Sequence, residues 1–256
     1  MLPLFLLLSI TLIYTIFNKV IHYVKSKRSK RKYIINRIIT PGYEDNNIID
    51  YWKNTYSAVF IAFKPFYKLI KRKDYTMPYG QYETLNVKIK KKYRPVKWKI
   101  IKKFKDFKSY EDIQKSLTYG NLNKNNEEKL NDLFENYNVI PPYEDFFYPF
   151  QVKKLLEVML YLGYDQVRFN FVIPELFPSE SFFLDRTNIE NIDAIIKGGY
   201  SNMYTEDNKI LIANLPNQHV TLICSDRETV KLFVQKMDLE GFYASGKTNF
   251  HWHEQT

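Results

Sequence analysis

Apolar positions repeat with strand and helix periods along most of the chain and predict a mixed α and β domain. Residues 58–63 form an apolar run of strand length that ends before Pro65. In residues 84–93, apolar and polar residues alternate, which predicts a half-buried strand with a basic outer face. Residues 167–173 alternate in the same way before Pro174, and 210–215 and 220–224 are two further strand-length runs.

Helix periods and caps lie between these strands. Ser109 and Asp112 form a capping box that predicts a short helix ending at Gly120. A second helix has one apolar face, and a third runs from Pro149 to a C-terminal cap at Gly163. The apolar face of the second helix consists of Leu130, Leu133, Phe134 and Tyr137.

Two more helices are predicted near the C-terminus. Thr187 with Glu190 caps a helix that ends at Gly198 and Gly199. Asp226 caps the last helix, and Gly241 lies just past its end. Because helices and strands do not alternate strictly, the pattern favours a single α+β domain over 48–256 rather than a doubly wound sheet.

The N-terminus has a different pattern, without a charged side chain from Met1 to Asn18. Residues 2–23 would extend roughly 33 Å as a helix, which is long enough to cross a bilayer. A cleavable signal peptide would carry basic residues before the apolar run and a small-residue cleavage site after it. Neither feature is present, so we predict a transmembrane anchor over 1–24 in front of the α+β domain. The alternatives are a buried core helix and an upstream start codon that adds extra residues.

A basic juxtamembrane segment and linker, 25–47, follows the anchor. Because Lys and Arg flanks stay on the cytoplasmic side, the sequence predicts a single-pass protein of the cell membrane with a cytoplasmic domain. The same side chains are the predicted contacts to anionic lipid headgroups. They are Lys25, Lys27, Arg28, Lys30, Arg31 and Lys32.

The formal net charge of +10 is unevenly distributed. Residues 1–32, 33–49, 50–108 and 109–256 contribute +7, −1, +13 and −9. The first half is therefore basic and the second acidic. Several abundant residue types, lysine among them, are encoded mainly by codons rich in A and T. Codon bias can therefore explain part of the lysine excess.

The stretch 88–108 interleaves Lys and Arg with four aromatic residues. Such a pattern can follow a nucleic-acid backbone and stack on bases. Only Arg94 in it is arginine, although base readout and bidentate phosphate contacts favour arginine. We therefore favour a basic face turned toward the anionic inner leaflet over nucleic-acid binding.

Two imidazoles near the C-terminus provide the most specific catalytic hypothesis. In a strand, His251 and His253 point to the same face and could share a divalent metal ion. His219 or a carboxylate would have to supply a third ligand. Metal-bound water would then make the protein a metal-dependent hydrolase. The alternative is a terminal edge strand with both imidazoles at the surface.

Other motifs are weaker. Residues 241–248 fit the phosphate-loop pattern by letter, but a helix precedes them and only eight residues follow, so we predict no nucleotide site. Cys224, the single cysteine, lies in an apolar strand and is predicted to be a buried small side chain. No catalytic residue and no cofactor can be assigned from the sequence.

Three passages resemble a bacterial family known only as a domain of unknown function. They are Phe63-Lys64-Pro65-Phe66, the helix and strand of 146–171, and Glu240-Gly241-Phe242 leading to Thr248 and Trp252. The resemblance extends over most of 48–256 and implies no activity. Because the sequence contains no convincing catalytic set, we predict a binding module, with the membrane and a protein partner as its contacts. A toxin-neutralising role is one form that such a module takes.

Overall fold

The computed structural model describes residues 47–70, 93–118, 124–142, 144, 147, 149–171, 179–192, 200–215 and 218–250. Seven helices and ten strands lie within these residues. The strands form two antiparallel sheets, so the predicted mixed α and β class is confirmed.

The larger sheet has seven strands in the order β10-β1-β9-β8-β7-β5-β6. Its central strands are rich in β-branched and aromatic residues, and β1, β8 and β9 are buried along their whole length. The strands are β1 (Ala58–Phe63), β5 (Gln166–Phe171), β6 (Glu180–Phe183), β7 (Tyr200–Thr205), β8 (Leu211–Asn214), β9 (Val220–Ser225) and β10 (Gly241–Tyr243).

The smaller sheet has three strands in the order β3-β2-β4, and two residues separate its first strand in the chain from β1. Its strands are β2 (Phe66–Leu69), β3 (Tyr93–Val96) and β4 (Val139–Ile140). Three helices, α2 (Trp98–Phe104), α3 (Tyr110–Leu117) and α4 (Lys124–Tyr137), connect β3 to β4. Leu130 and Leu133 are the buried part of the apolar face predicted for α4.

The main core lies on one face of the larger sheet. Apolar side chains of α5 (Pro149–Tyr161) and α7 (Arg227–Met237) pack there against alternate residues of the strands. Two one-turn helices, α1 (Ile48–Trp52) and α6 (Arg186–Glu190), complete the described elements. Trp52 of α1 is buried and makes edge-to-face contacts with Tyr56 and Phe250.

Several predicted caps are confirmed. Ser109 accepts a hydrogen bond from the backbone of Asp112, whose carboxylate accepts one from Ser109 N–H. Asp226 caps α7 through the backbone N–H of Thr229. Gly163 has a φ of +88° and follows the end of α5, as expected of a C-terminal glycine.

Two predicted boundaries are wrong. Asp185, not Thr187, caps α6, because its carboxylate accepts the backbone N–H of Asn188 at 2.7 Å. Gly241 does not end α7. Asp238 takes the left-handed conformation there, with φ of 52°, and Gly241 opens β10.

The predicted anchor, 1–24, lies outside the described residues, as do 25–46, strand residues 84–92 and the passages 173–174 and 198–199. Among the described residues, no helix combines the length and the apolar character needed to span a bilayer.

Candidate functional site

Buried polar side chains gather at one end of the larger sheet. Thr221 of β9 donates a hydrogen bond to Asn214 of β8 at 2.8 Å, and Asn214 donates to the Ser201 carbonyl of β7 at 3.0 Å. All three side chains are buried. Because a buried polar group is costly unless it is paired, this row marks a part of the core that is specialised for polar contacts.

Two ionisable residues extend this polar end. Lys64 directly follows β1, and His219 directly precedes β9. Lys64 N–H donates to the His219 carbonyl at 3.0 Å, which continues the pairing of Phe63 with Val220 by one residue. Lys64 is fully buried and His219 is 3% exposed. Charged side chains are rarely buried to this extent in an ordinary core.

Glu144 reaches the same place from the segment between β4 and α5. Its Oε1 atom lies 3.2 Å from His219 Nε2. The His219 imidazole lowers the pKa of the Glu144 carboxyl, burial opposes this effect, and Lys64 lowers the pKa further. We call Lys64, Glu144 and His219 the junction cluster, because they lie where the chain passes between the two sheets.

A second candidate surface lies on the three-helix side. Four large apolar side chains are exposed there, namely Ile70 at 57%, Ile100 at 53%, Phe104 at 53% and Tyr137 at 39%. The exposed basic side chains of residues 93–108 also belong to this surface, and they are Arg94, Lys99, Lys103 and Lys108. These eight residues are called the basic apolar patch.

Contacts connect the apolar members of the patch. Ile100 and Phe104 are four residues apart on α2 and therefore share one helix face. The rings of Phe104 and Tyr137 meet edge to face, with centroids 4.9 Å apart. Leu69 N–H donates to the Asn138 carbonyl, which brings the neighbouring Ile70 and Tyr137 into one region. A contiguous apolar surface of this kind is typical of an interaction site.

The predicted metal residues are divided by the structure. His219 is buried against Glu144, whereas His251 and His253 lie outside the described residues. In the part of the chain that is described, no three His, Cys, Asp or Glu side chains form a metal-binding group. The predicted lipid contacts between Lys25 and Lys32 also lie outside the described residues.

The phosphate-loop letters adopt another structure. Residues 241–243 form β10, which pairs with β1, and a turn follows at Gly246 and Lys247. Ser245 and Thr248 bond to each other across this turn rather than facing an open loop. Cys224 is fully buried in β9, as predicted.

Sequence reasoning missed Lys64, Glu144 and the pair Ile100 and Phe104. The last pair could have been noticed, because two apolar residues at helical spacing lie inside a lysine-rich run. Lys64 and Glu144 are 80 residues apart, and nothing local in the sequence links either one to His219.

The fold and the two surfaces together define a two-sheet α+β domain with a buried polar junction and an exposed basic apolar patch. The chain belongs to the family described as "Protein of unknown function (DUF2711)", whose model matches residues 44–254. This confirms the predicted membership of a family of unknown function. Neither the curated proteins nor the solved structures that were compared contain a significant match.

Proposed function

We propose that the protein is a membrane-anchored binding module whose domain lies with its basic apolar patch against the anionic inner leaflet. The observation that carries the proposal is the exposure of Ile100 and Phe104, each of which directly follows an exposed lysine, Lys99 or Lys103. A short helix with apolar residues on one line and lysines beside them is typical of segments that lie in a membrane interface.

The charges of the patch favour lipid over a neutral partner. Arg94, Lys99, Lys103 and Lys108 form no ion pair with another described residue. Lys97 and Lys105, in contrast, pair with Asp238 and Asp132. Each unpaired basic side chain at an anionic surface contributes on the order of 1 kcal/mol.

The strength of this contact fits an anchored protein. Four basic side chains contribute about 4 kcal/mol, and half-burial of two large apolar side chains adds about 2 kcal/mol. The sum is close to the affinity of a single myristoyl chain, which binds membranes only marginally. The patch therefore needs a second attachment, and the predicted anchor over 1–24 with its basic flank would provide one.

Reconstituted full-length protein tests the proposal. The protein is reconstituted into nanodiscs of phosphatidylcholine alone or of phosphatidylcholine with phosphatidylserine. The rate of backbone hydrogen exchange in α2 is then compared between the two. We expect protection of α2 only with phosphatidylserine, and we expect Lys99→Glu with Lys103→Glu to abolish it. The matched control is Arg186→Glu with Lys209→Glu, two exposed bases on α6 and the β7–β8 turn. Equal exchange of α2 in both lipids would contradict the proposal.

Topology is tested separately with protease added to intact cells. We expect a cytoplasmic domain to be spared, and digestion from outside would contradict the predicted orientation.

A protein partner of the acidic second half is tested by using the full chain to capture proteins that bind it. We expect this binding to weaken as the salt concentration rises.

A further inference from the structure

The helix α2 carries the exposed residues Ile100 and Phe104, but its own sequence supports a helix poorly. It has seven residues, and isolated helices shorter than about 12 residues are marginal in water. Lys97 occupies its N-terminal cap position, and a lysine side chain has no acceptor for a backbone N–H group. The first turn contains no acidic residue, and Lys99 brings a positive charge to the positive end of the helix. We therefore expect α2 to depend on contacts from elsewhere in the chain.

Glu240 provides an acceptor for this helix from a distant part of the chain. It lies in the connection between α7 and β10, 141 residues from Lys99. Its Oε1 atom accepts hydrogen bonds from the backbone N–H of Lys99 at 2.7 Å and from the hydroxyl of Tyr110 at 3.1 Å. Lys99 is the second residue of α2, and Tyr110 is the first residue of α3. One carboxylate therefore satisfies a first-turn N–H group of α2 and connects it to the start of the next helix.

Asp238 adds a second negative charge at the same helix end. Its Oδ2 atom lies 2.5 Å from Lys97 Nζ, and the hydrogen bond and charge of Lys97 lower the pKa of the Asp238 carboxyl. The side chain of Asp238 is exposed, so this ion pair alone contributes little to stability. Both carboxylates nevertheless lie at the positive end of α2, where the helix dipole favours negative charge and where Lys97 and Lys99 lie close together.

The backbone of Glu240 is fixed to the larger sheet. Its carbonyl accepts the N–H of Phe63, the last residue of β1, at 2.8 Å. The ring of Phe63 stacks on Trp98, the first residue of α2, with centroids 4.6 Å apart. Two passages on which the family resemblance rests, 63–66 and 240–242, therefore meet at the start of α2.

We propose that Glu240 is the positioning residue of the basic apolar patch. The inference rests on the proposed membrane contact, because it assigns to Glu240 the role of fixing the helix that makes this contact. With its first turn held, α2 keeps Ile100 and Phe104 outside while Trp98 stays buried. Without the carboxylate, the N–H of Lys99 loses its acceptor and the lysine charges at the helix start are less well offset. Binding to lipid would then also have to order α2, which lowers the affinity for an anionic surface.

The first test compares three variants of the full-length protein by backbone hydrogen exchange in nanodiscs of phosphatidylcholine alone. Glu240→Ala removes the acceptor and the charge, Glu240→Gln keeps an amide oxygen as acceptor, and Tyr110→Phe removes only the second hydrogen bond. Because hydrogen bonds to charged groups are strong, we expect exchange in α2 to be at least about tenfold faster in Glu240→Ala. Glu240→Gln and Tyr110→Phe should show smaller increases. Exchange in β9 should stay unchanged in all three variants.

The second test repeats the measurement in nanodiscs that contain phosphatidylserine. We expect this lipid to protect α2 in the unmodified chain and in the control Glu157→Ala, which removes an exposed carboxylate of α5. The protection should be weaker in Glu240→Ala and partly restored in Glu240→Gln. If Glu240→Ala speeds exchange in α2 but phosphatidylserine protects neither chain, the positioning role stands and the lipid contact is wrong. Unchanged exchange of α2 in Glu240→Ala, or equal acceleration in α2 and β9, would overturn the positioning role.

Discussion

Replacement of Gly241 by alanine should destabilise the domain far more than the same change at its other described glycines. An alanine Cβ at this position would lie 1.9 Å from the Ile61 carbonyl oxygen and 2.9 Å from both the Ile61 carbonyl carbon and a Phe60 ring carbon. The first contact is 1.1 Å below the 3.0 Å limit that real Cβ atoms respect. Since the clash is with the backbone of the central strand β1, the edge strand β10 must move away.

The cost can be estimated from the contacts that hold β10. The hydrogen bonds from Phe63 N–H to the Glu240 carbonyl and from Ala244 N–H to the Val59 carbonyl border the close approach. Each contributes about 1 kcal/mol. The edge-to-face contact of Phe60 with Tyr243 contributes about 1 kcal/mol more. We therefore expect a loss of about 3 kcal/mol in the free energy of unfolding.

Two other glycines provide a graded comparison. A Cβ at Gly163 meets nothing within 4 Å, but its φ of +88° should cost about 1–2 kcal/mol. At Gly246 there is neither a contact nor a positive φ, so alanine should change stability by less than about 0.5 kcal/mol. Denaturant unfolding followed by circular dichroism measures the series. Equal stabilities of Gly241→Ala and Gly246→Ala would refute the reasoning.

Three further predictions concern caps and the buried thiol. Asp226→Ala should cost about 1 kcal/mol in denaturant unfolding, and Asp226→Asn much less, because asparagine can still cap α7. The hydrogen bond from the backbone N–H of Thr229 lowers the pKa of the Asp226 carboxyl. The stabilisation by this carboxylate is therefore present at neutral pH and is lost as pH falls through the lowered pKa. Asp226→Asn should not show this loss of stability in acid. Ser109→Ala should cost about 1 kcal/mol, since it leaves one half of the capping box. Burial raises the pKa of the Cys224 thiol, so a thiol reagent followed by absorbance should react only after unfolding; rapid reaction of the native protein would contradict the buried strand.

Local sequence patterns were sufficient to predict the elements that depend on residues close to one another in the chain. The strands β1 and β9, the capping box at Ser109 and the helix ending near Gly163 all follow from side-chain alternation or from hydrogen bonds a few residues apart. Gly241 illustrates the limit. The sequence identifies a glycine after a helix. A side chain is excluded at this position because it would clash with the backbone of Ile61, which is 180 residues away.

The candidate sites show the same limit. His219 could be selected as a metal ligand because histidines are few, yet its partners Glu144 and Pro142 come from a connection with no motif of its own. The placement of Thr187 as a cap failed because the helix already begins at Arg186, where Asp185 caps it by accepting the backbone N–H of Asn188. In both cases the deciding neighbour is not visible in the pattern that suggested the residue.

The backbone of Lys64 connects the two candidate surfaces. Its N–H donates to the His219 carbonyl, and its C=O accepts a 2.6 Å hydrogen bond from the Trp98 indole of α2. Trp98 is fully buried and stacks on Phe63, with centroids 4.6 Å apart. The backbone of this one residue therefore contacts both the start of the helix that carries Ile100 and Phe104 and the loop that carries His219. Because buried hydrogen bonds with these short distances leave little freedom, a change at Trp98 should disturb the junction cluster as well as the basic apolar patch, whereas changes at exposed Ile100 should affect the patch alone.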